Sequence, residues 1–253
     1  MDQAELSSTQ FGSRADAYLA SSVHARGADL ERLRVLSESI RPAHVLDLGC
    51  GAGHASFAMA RGGARRITAF DPSAQMLAVV AREAAARGHE TLDTQAGSAE
   101  SLPFADASFE IVATRYSAHH WANVPRALAE CARVLKPGGR LVVIDVVSPE
   151  DQVLDTALQV IEFLRDSSHV RNYRISEWSA MLCAAGFETP SVDSWRLPLE
   201  FRSWVARIGT SAPRIAALET VFADFSDEAR RYLEVGANLS FVIEAAWMET
   251  RAG

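Results

Sequence analysis

The sequence predicts an α/β protein built on a doubly wound, mostly parallel sheet, and three observations predict it. β-rich apolar segments alternate with helical patterns from His44 to about Val147, as they do in chains of βαβ units. One of those segments, VLDL, runs straight into Gly49-Cys50-Gly51-Ala52-Gly53 and then a helix. Such a turn lets a ligand approach the backbone at the carboxyl edge of a sheet. The chain has 253 residues, 48% of them hydrophobic, which suits one soluble α/β domain. A single domain over 1–253 is therefore expected, with helices in 1–40, the sheet's core in 44–147, and further helices and closing strands in 148–253.

Taken in order, Ala15 to Ser39 reads as one or two helices. The strands HVLDL (44–48), RITAF (66–70), TLDTQ (91–95), FEIVAT (109–114) and RLVVIDVV (140–147) follow. Between them, His54 to Arg61, Ala74 to Arg87 and Val124 to Leu135 carry apolar residues at three- and four-residue spacing, one face of a helix. Lys136-Pro137-Gly138-Gly139 ends the last of these, because proline cannot continue a helix and glycine supplies a positive φ. Helices are expected at 151–165 and 176–185, with Gly186 as the C-cap. The tail reads as a strand at 192–199, a helical stretch at 201–233 and a last strand at 239–247. A closing strand after so long an excursion predicts a mixed sheet.

Composition narrows the partners. The net charge of −7 offers phosphate backbones no general attraction, so nucleic acid is not an expected partner. The apolar runs are too short for a membrane span. Three cysteines, Cys50, Cys131 and Cys183, stand far apart without CxxC spacing, which suggests neither a disulfide framework nor a zinc site and fits a reducing, cytoplasmic setting. The segment MDQAELSSTQFGSR has neither the basic nor the apolar region of a secretory signal.

The glycine turn is the most informative stretch. A dinucleotide fingerprint needs Gly-x-Gly-x-x-Gly, whereas His54 stands at the last position and the pattern is Gly-x-Gly-x-Gly. That opposes an NAD-dependent oxidoreductase, the competing enzyme class. Asp47, two residues before Gly49, fits a cationic or amine-bearing ligand. Asp71 ends the next strand twenty residues after Gly51, the separation at which an acid reaches a ribose hydroxyl across the crevice.

VLDLGCGAG, ITAFDPSAQML, AESLPFADASFEIV and ALAECARVLKPGGRLVVID together resemble the class I S-adenosylmethionine-dependent methyltransferases. More narrowly, they are similar to the branch of the ubiquinone/menaquinone C-methyltransferases and the malonyl-carrier O-methyltransferase, the methyltransferase type 11 domain. The resemblance covers about 44–147 and implies a Rossmann-like seven-stranded mixed sheet of order 3-2-1-4-5-7-6, N-terminal lid helices, and a helical insert before the last strand. It implies that Asp47, Gly49, Cys50, Gly51 and Gly53 line the methionine end of the cofactor, that Asp71 binds both ribose hydroxyls, and that Pro72 and Met76 pack on the adenine. Relatives carry Gly-Asp-Ala where this chain has Gly97-Ser98-Ala99; Ser98 and the backbone of Ala99 are then expected to hold the adenine amino group.

Methyl transfer from a sulfonium is an in-line displacement, and a base beside the acceptor assists it. TRYSAHHW (114–121) follows the fourth strand, where ligand-contacting loops lie. His119 and His120 are the candidate bases, Arg115 a candidate cofactor contact, and Tyr116 and Trp121 candidate acceptor contacts. DNA amino-methyltransferases place an Asn- or Asp-Pro-Pro-aromatic motif here, and this chain has none. No carboxylate or cysteine stands at metal-ligand spacing around the histidines, so no metal is expected. The lid would bring Tyr18 to the cofactor and His24 to the acceptor, while Arg165, His169, Arg171, Tyr173 and Arg174 from 165–178 suit an anionic acceptor, a solvated turn being the other reading. The tail aromatics Trp195, Phe201, Trp204, Phe222, Phe225 and Tyr232 read as core, as an apolar pocket, or as a homodimer surface. The expected activity is methyl transfer to a small-molecule acceptor; a non-catalytic cofactor-binding or scaffolding protein is the competing non-enzyme class.

Overall fold

A computed structural model describes residues 1–12, 15, 19, 27–40 and 43–253. Helices α1 (Gln3–Gly12) and α2 (Ala28–Ser39) precede the sheet. Then come β1 (His44–Leu48), α3 (His54–Arg61), β2 (Arg66–Asp71), α4 (Ala74–Ala86), β3 (Leu92–Ala96) and β4 (Phe109–Arg115). A 3-10 turn (Ala118–His120), α5 (Val124–Val134), β5 (Leu135–Val147), α6 (Gln152–Arg165) and α7 (Ile175–Ala184) follow. The chain closes with β6 (Ser191–Leu199), α8 (Phe201–Ile208), α9 (Ala212–Asp224), α10 (Asp227–Tyr232) and β7 (Phe241–Arg251). The seven strands form one sheet of order β3-β2-β1-β4-β5-β7-β6. β1 to β5 are parallel, and β7 runs antiparallel between β5 and β6.

Strand alternation divides the core. On one face Val45, Ile67, Ile111, Val142 and Trp247 pack against Leu30, Leu33 and Leu36 of α2 and Met59 of α3. On the other, Leu46, Leu48, Val112, Leu141 and Met248 pack against Leu128 and Cys131 of α5 and Trp178 and Leu182 of α7. A period of two along each strand puts successive side chains into different layers, so β1 presents Val45 to the first core and Leu46 and Leu48 to the second. A third cluster joins α6 to the tail, where the Trp204 ring meets Phe241 at 4.9 Å and Phe222 meets Phe201 at 5.7 Å.

Four departures from the sequence reading have local causes. Lys136 to Gly139 belongs to β5: Leu135 pairs with Phe109 and Arg140 with Ile111, and the bulge between them holds Gly138 at φ +71°. The stretch 201–233 is three helices, broken where Gly209 adopts φ +66° and again where the Ser226 hydroxyl caps α10 by accepting from Ala229 N–H. β7 runs on to Arg251, because β5 offers it partners as far as Arg140. α1 begins well before Ala15; Ala4, Leu6 and Phe11 give it little apolar periodicity, and tertiary contacts hold it. Among the described residues no helix is long and apolar enough to cross a membrane, and no three His, Cys, Asp or Glu side chains converge as metal ligands.

Candidate active site

The carboxyl edge of the sheet opens into a cavity of about 500 Å³, walled by the loops after β1, β2, β3 and β4, by α1, and by α6, α8 and the ends of β6 and β7. At one end lies the glycine turn. Gly49 holds φ +71° with its α-carbon so close to Ser117 that a Cβ would fall 1.8 Å from the hydroxyl, which excludes any side chain there. Gly51, at φ +50°, has no atom of the described residues beyond its chain neighbours within 4 Å of its Cβ position. The turn is thus pressed on one side and open on the other. Gly53, at φ +84°, lies outside the lining; a Cβ there would press on Val80 and Phe57, so its service is to seat α3 against α4.

Two buried acids flank the turn. Asp71 Oδ2 accepts the Gly51 N–H at 2.9 Å and Oδ1 accepts the Ser73 N–H at 2.8 Å, fixing the carboxylate at the cavity wall. Asp47 Oδ2 accepts from the Ser56 N–H at 2.8 Å and from the Ser56 hydroxyl. Burial pushes each carboxyl up to about 6, because desolvation disfavours the charged form. Pro72, Met76, Ser98 and Ala99 complete this end. The Ser98 hydroxyl donates to Glu100, whose other oxygen accepts the Asn123 N–H at 3.1 Å. Glu100, also in the lining, supplies the negative charge that Ser98 lacks, and the acid two residues after Ser98 was its available signal.

The loop after β4 starts against the glycine turn, where Ser117 meets Gly49, and its 3-10 turn carries the lining on to the far end, where His120 stands 4.0 Å from Asp166. Tyr116 sits at φ +50°, a left-handed conformation that costs a non-glycine residue about 1–2 kcal/mol and marks functional loops. His119 Nδ1 lies 2.6 Å from Asp145 Oδ1, and its backbone N–H donates to Oδ2 of the same acid at 3.2 Å. Burial disfavours the charged ring, but the Asp145 charge and hydrogen bond outweigh it and raise His119 above the ordinary histidine range. With Nδ1–H donated to Asp145, the neutral ring presents its Nε2 lone pair. His120 does different work: its Nδ1–H donates to the Ser168 carbonyl at 3.0 Å, and burial followed by the neighbouring His119 pushes it down to about 4. Only His119 of the pair is held by a carboxylate at hydrogen-bonding distance.

The structure treats the remaining sequence candidates unequally. Asp47, Gly49, Cys50, Gly51, Asp71, Pro72, Met76, Ser98, Ala99, Arg115, Tyr116 and Trp121 line the cavity together with both histidines. Arg115 does so with its Nε 2.5 Å from Asp29 in a buried ion pair that ties α2 to β4. His169, Arg171 and Tyr173 are not in the lining. Arg171 pairs with Asp155 at 2.8 Å, Tyr173 packs on Trp178, and His169 lies beside Gln159 Oε1 at 3.0 Å, pushed down to about 2 by burial and then by its histidine and arginine neighbours. Arg174 also turns to Asp155, at 3.2 Å, whereas Arg165 of the same segment lines the cavity, joined by Asp166 and Asn172 and by Glu162 one turn earlier on α6. Tyr18 and His24 lie outside the described residues. α1 covers the opening: the Gln3 amide donates to the His120 and Ser168 carbonyls, and Phe11 meets the His120 ring edge-on at 5.0 Å.

Residues 46–143 match the family model of the methyltransferase domain. The chain is 40% identical over 222 residues to the uncharacterized methyltransferase YcgJ of Bacillus subtilis, covering 88% of this chain and 87% of that one. The crystal structure of YcgJ superposes with a TM-score of 0.84 over 89% of this chain and 98% of that one. This chain is a class I S-adenosylmethionine-dependent methyltransferase. It is also 49% identical over 166 residues to the uncharacterized Escherichia coli protein YafE, covering 66% of this chain and 80% of that one. Against the ubiquinone/menaquinone biosynthesis C-methyltransferase UbiE of Rubrivivax gelatinosus the match is 42% over 106 residues, 42% of this chain and 40% of that one.

The residues present in this methyltransferase fit the family's cofactor. Two desolvated acids beside an open glycine turn suit a ligand that carries positive charge and hydroxyl donors, and the space over Gly51 is one a side chain would occupy. Gly51→Ala is therefore expected to lower stability by only about 1–2 kcal/mol through φ strain, yet to weaken S-adenosylhomocysteine binding at least about tenfold. Thermal melts and calorimetry on the same samples separate the two effects.

Proposed function

We propose that this methyltransferase binds S-adenosylmethionine between the glycine turn and Asp71 and moves its methyl group to a small-molecule acceptor held against His119. The observation that carries the proposal is one cavity lined both by Gly49, Gly51 and Asp71 and by His119, whose Nδ1 is held by Asp145 at 2.6 Å. When bound, the cofactor supplies a methyl group made electrophilic by the sulfonium. The backbone of Gly49 to Gly51 and the Asp47 carboxylate would hold its amino-acid end, and Asp71 its ribose hydroxyls. Met76 and Pro72 would hold the adenine ring, with Ser98 and Glu100 at its amino edge.

At the far end, His119 Nε2 takes the proton from the acceptor's nucleophilic group while Asp145 stabilises the imidazolium that forms. Val146, Leu199, Trp204 and Ile243 present an apolar wall that excludes water and orients the acceptor. Orientation of this kind contributes up to about 7–11 kcal/mol in favourable intramolecular reactions. A small molecule is supported by the cavity's size and by the likeness of part of the chain to a quinone-pathway enzyme.

A pH titration tests the cofactor end. Because Asp47 and Asp71 ionise near 6 in the free protein, a ligand that sets its ammonium and hydroxyl donors against their carboxylates must displace protons from them below that pH, and affinity falls about tenfold per unit for each acid so coupled. The dissociation constant of S-adenosylhomocysteine is expected to be flat from pH 7 to 8 and at least about tenfold weaker at pH 5. Calorimetry reads this directly, and an equal affinity at pH 5 and 8 would remove both acids from the site.

A further inference from the structure

Asn172 is 1% exposed and lines the cavity, yet neither its Nδ2 nor its Oδ1 has a hydrogen-bond partner among the described residues. Buried amides are almost always satisfied, because an unpaired buried donor or acceptor keeps its full desolvation cost. The backbone around it is fixed. Asn172 N–H donates to Gln159 Oε1 at 3.0 Å, its carbonyl accepts from Gln159 Nε2 at 2.7 Å, and the next-but-one residues toward the 3-10 turn are anchored where Val170 N–H meets the His119 carbonyl at 2.8 Å. The same connection thus touches His119 through its backbone and places an unsatisfied amide in the wall of the cavity. Packing alone does not call for an amide: leucine has the same branching and, though bulkier, would leave nothing unpaired.

From this we infer that Asn172 is an acceptor-binding residue, and that the acceptor presents to it a neutral group with a hydrogen-bond donor and acceptor side by side, such as a carboxamide or a hydroxy-carbonyl pair. The inference deepens the proposed function and rests on it. An acceptor that also places an ionisable O–H or N–H at His119 and an apolar body against Leu199 and Trp204 satisfies every part of this end of the cavity. The amide complements neutral groups in both directions and carries no charge, so it selects against a carboxylate, which would bring two acceptors and no donor. Asp166 and Glu162 in the same lining act in the same sense, and Arg165 beside them is engaged with Glu162 at 3.7 Å and with the Trp204 carbonyl.

Salicylamide, a phenol with an adjacent carboxamide, is a suitable probe, and 2-ethylphenol, which keeps the ring and hydroxyl but not the amide, is its control. Both are titrated by ligand-observed NMR into the full chain saturated with S-adenosylhomocysteine, as wild type, Asn172→Leu and Asn172→Ala. Wild type is expected to bind salicylamide about tenfold more tightly than 2-ethylphenol. Both variants should erase that difference while S-adenosylhomocysteine affinity is unchanged. Equal binding of the two probes by wild type, or a preference that survives in either folded variant, overturns the role of Asn172. If wild type fails to bind S-adenosylhomocysteine, the cofactor assignment falls and the role of Asn172 falls with it.

Discussion

His119→Gln is expected to lower kcat by about 10²–10⁴-fold, the range that a positioned general base contributes, with S-adenosylhomocysteine affinity unchanged. Glutamine keeps a polar group of similar reach but cannot take up a proton. The effect has a pH signature. Asp145 raises the His119 pKa above the ordinary histidine range, and a base works only when neutral, so wild-type kcat/KM rises with pH through that raised value and levels off above it. In His119→Gln the rise disappears. Asp145→Asn removes the charge that holds the ring and stabilises the imidazolium, so its profile should shift to lower pH at reduced kcat. His120→Gln tests the assignment from the other side. That ring is pushed down to about 4 and donates to the Ser168 carbonyl, so its replacement should loosen α1 and the 3-10 turn while leaving the pH profile in place. A pH–rate profile of the three variants distinguishes these outcomes, and an unchanged kcat in His119→Gln rules out a base at this position.

Asp71→Ala is expected to raise the dissociation constant for S-adenosylmethionine by about 10²–10⁴-fold. Two hydrogen bonds from ligand hydroxyls to a carboxylate are each worth about 1.5–3 kcal/mol, and a tenfold change corresponds to about 1.4 kcal/mol. The carboxylate also accepts the Gly51 and Ser73 N–H groups, so its loss frees the glycine turn that the ligand must meet. Asp71→Asn keeps the shape but removes the charge and one acceptor, and should fall between wild type and alanine. Equilibrium dialysis with labelled cofactor measures all three.

The cofactor end was legible because it is local. VLDL, the glycine turn, and Asp71 at the end of the next strand are adjacent in both chain and space, and the turn chemistry that only glycine allows is written in the residues themselves. The acceptor end was legible only in part. TRYSAHHW could be placed after β4 by topology, but which histidine does chemistry depends on Asp145, an acid inside the apolar run of β5 that no local spacing connects to His119. The connection 165–178 shows the limit most clearly. Its charged and aromatic residues drew the substrate role to Arg171 and Tyr173, and an irregular connection has no period from which to read which side chains face a cavity. Asn172 lines the cavity, whereas its two neighbours turn to Asp155 and Trp178. The start of α1 was not legible for a related reason: N-terminal helices were expected within 1–40 but read from Ala15, because the hold of α1 on the fold comes from Gln3 and Phe11 reaching distant partners, not from an apolar stripe of its own.

The central claim is that one cavity holds the cofactor at Asp71 and the acceptor at His119. Its most direct test is calorimetric titration of S-adenosylhomocysteine into wild type, Asp71→Ala and His119→Gln, with NAD as the control ligand. The expected result is one-to-one binding to wild type, the same affinity in His119→Gln, loss of binding in Asp71→Ala, and no heat with NAD. Absence of binding in folded wild type, or equal binding in Asp71→Ala, would contradict it.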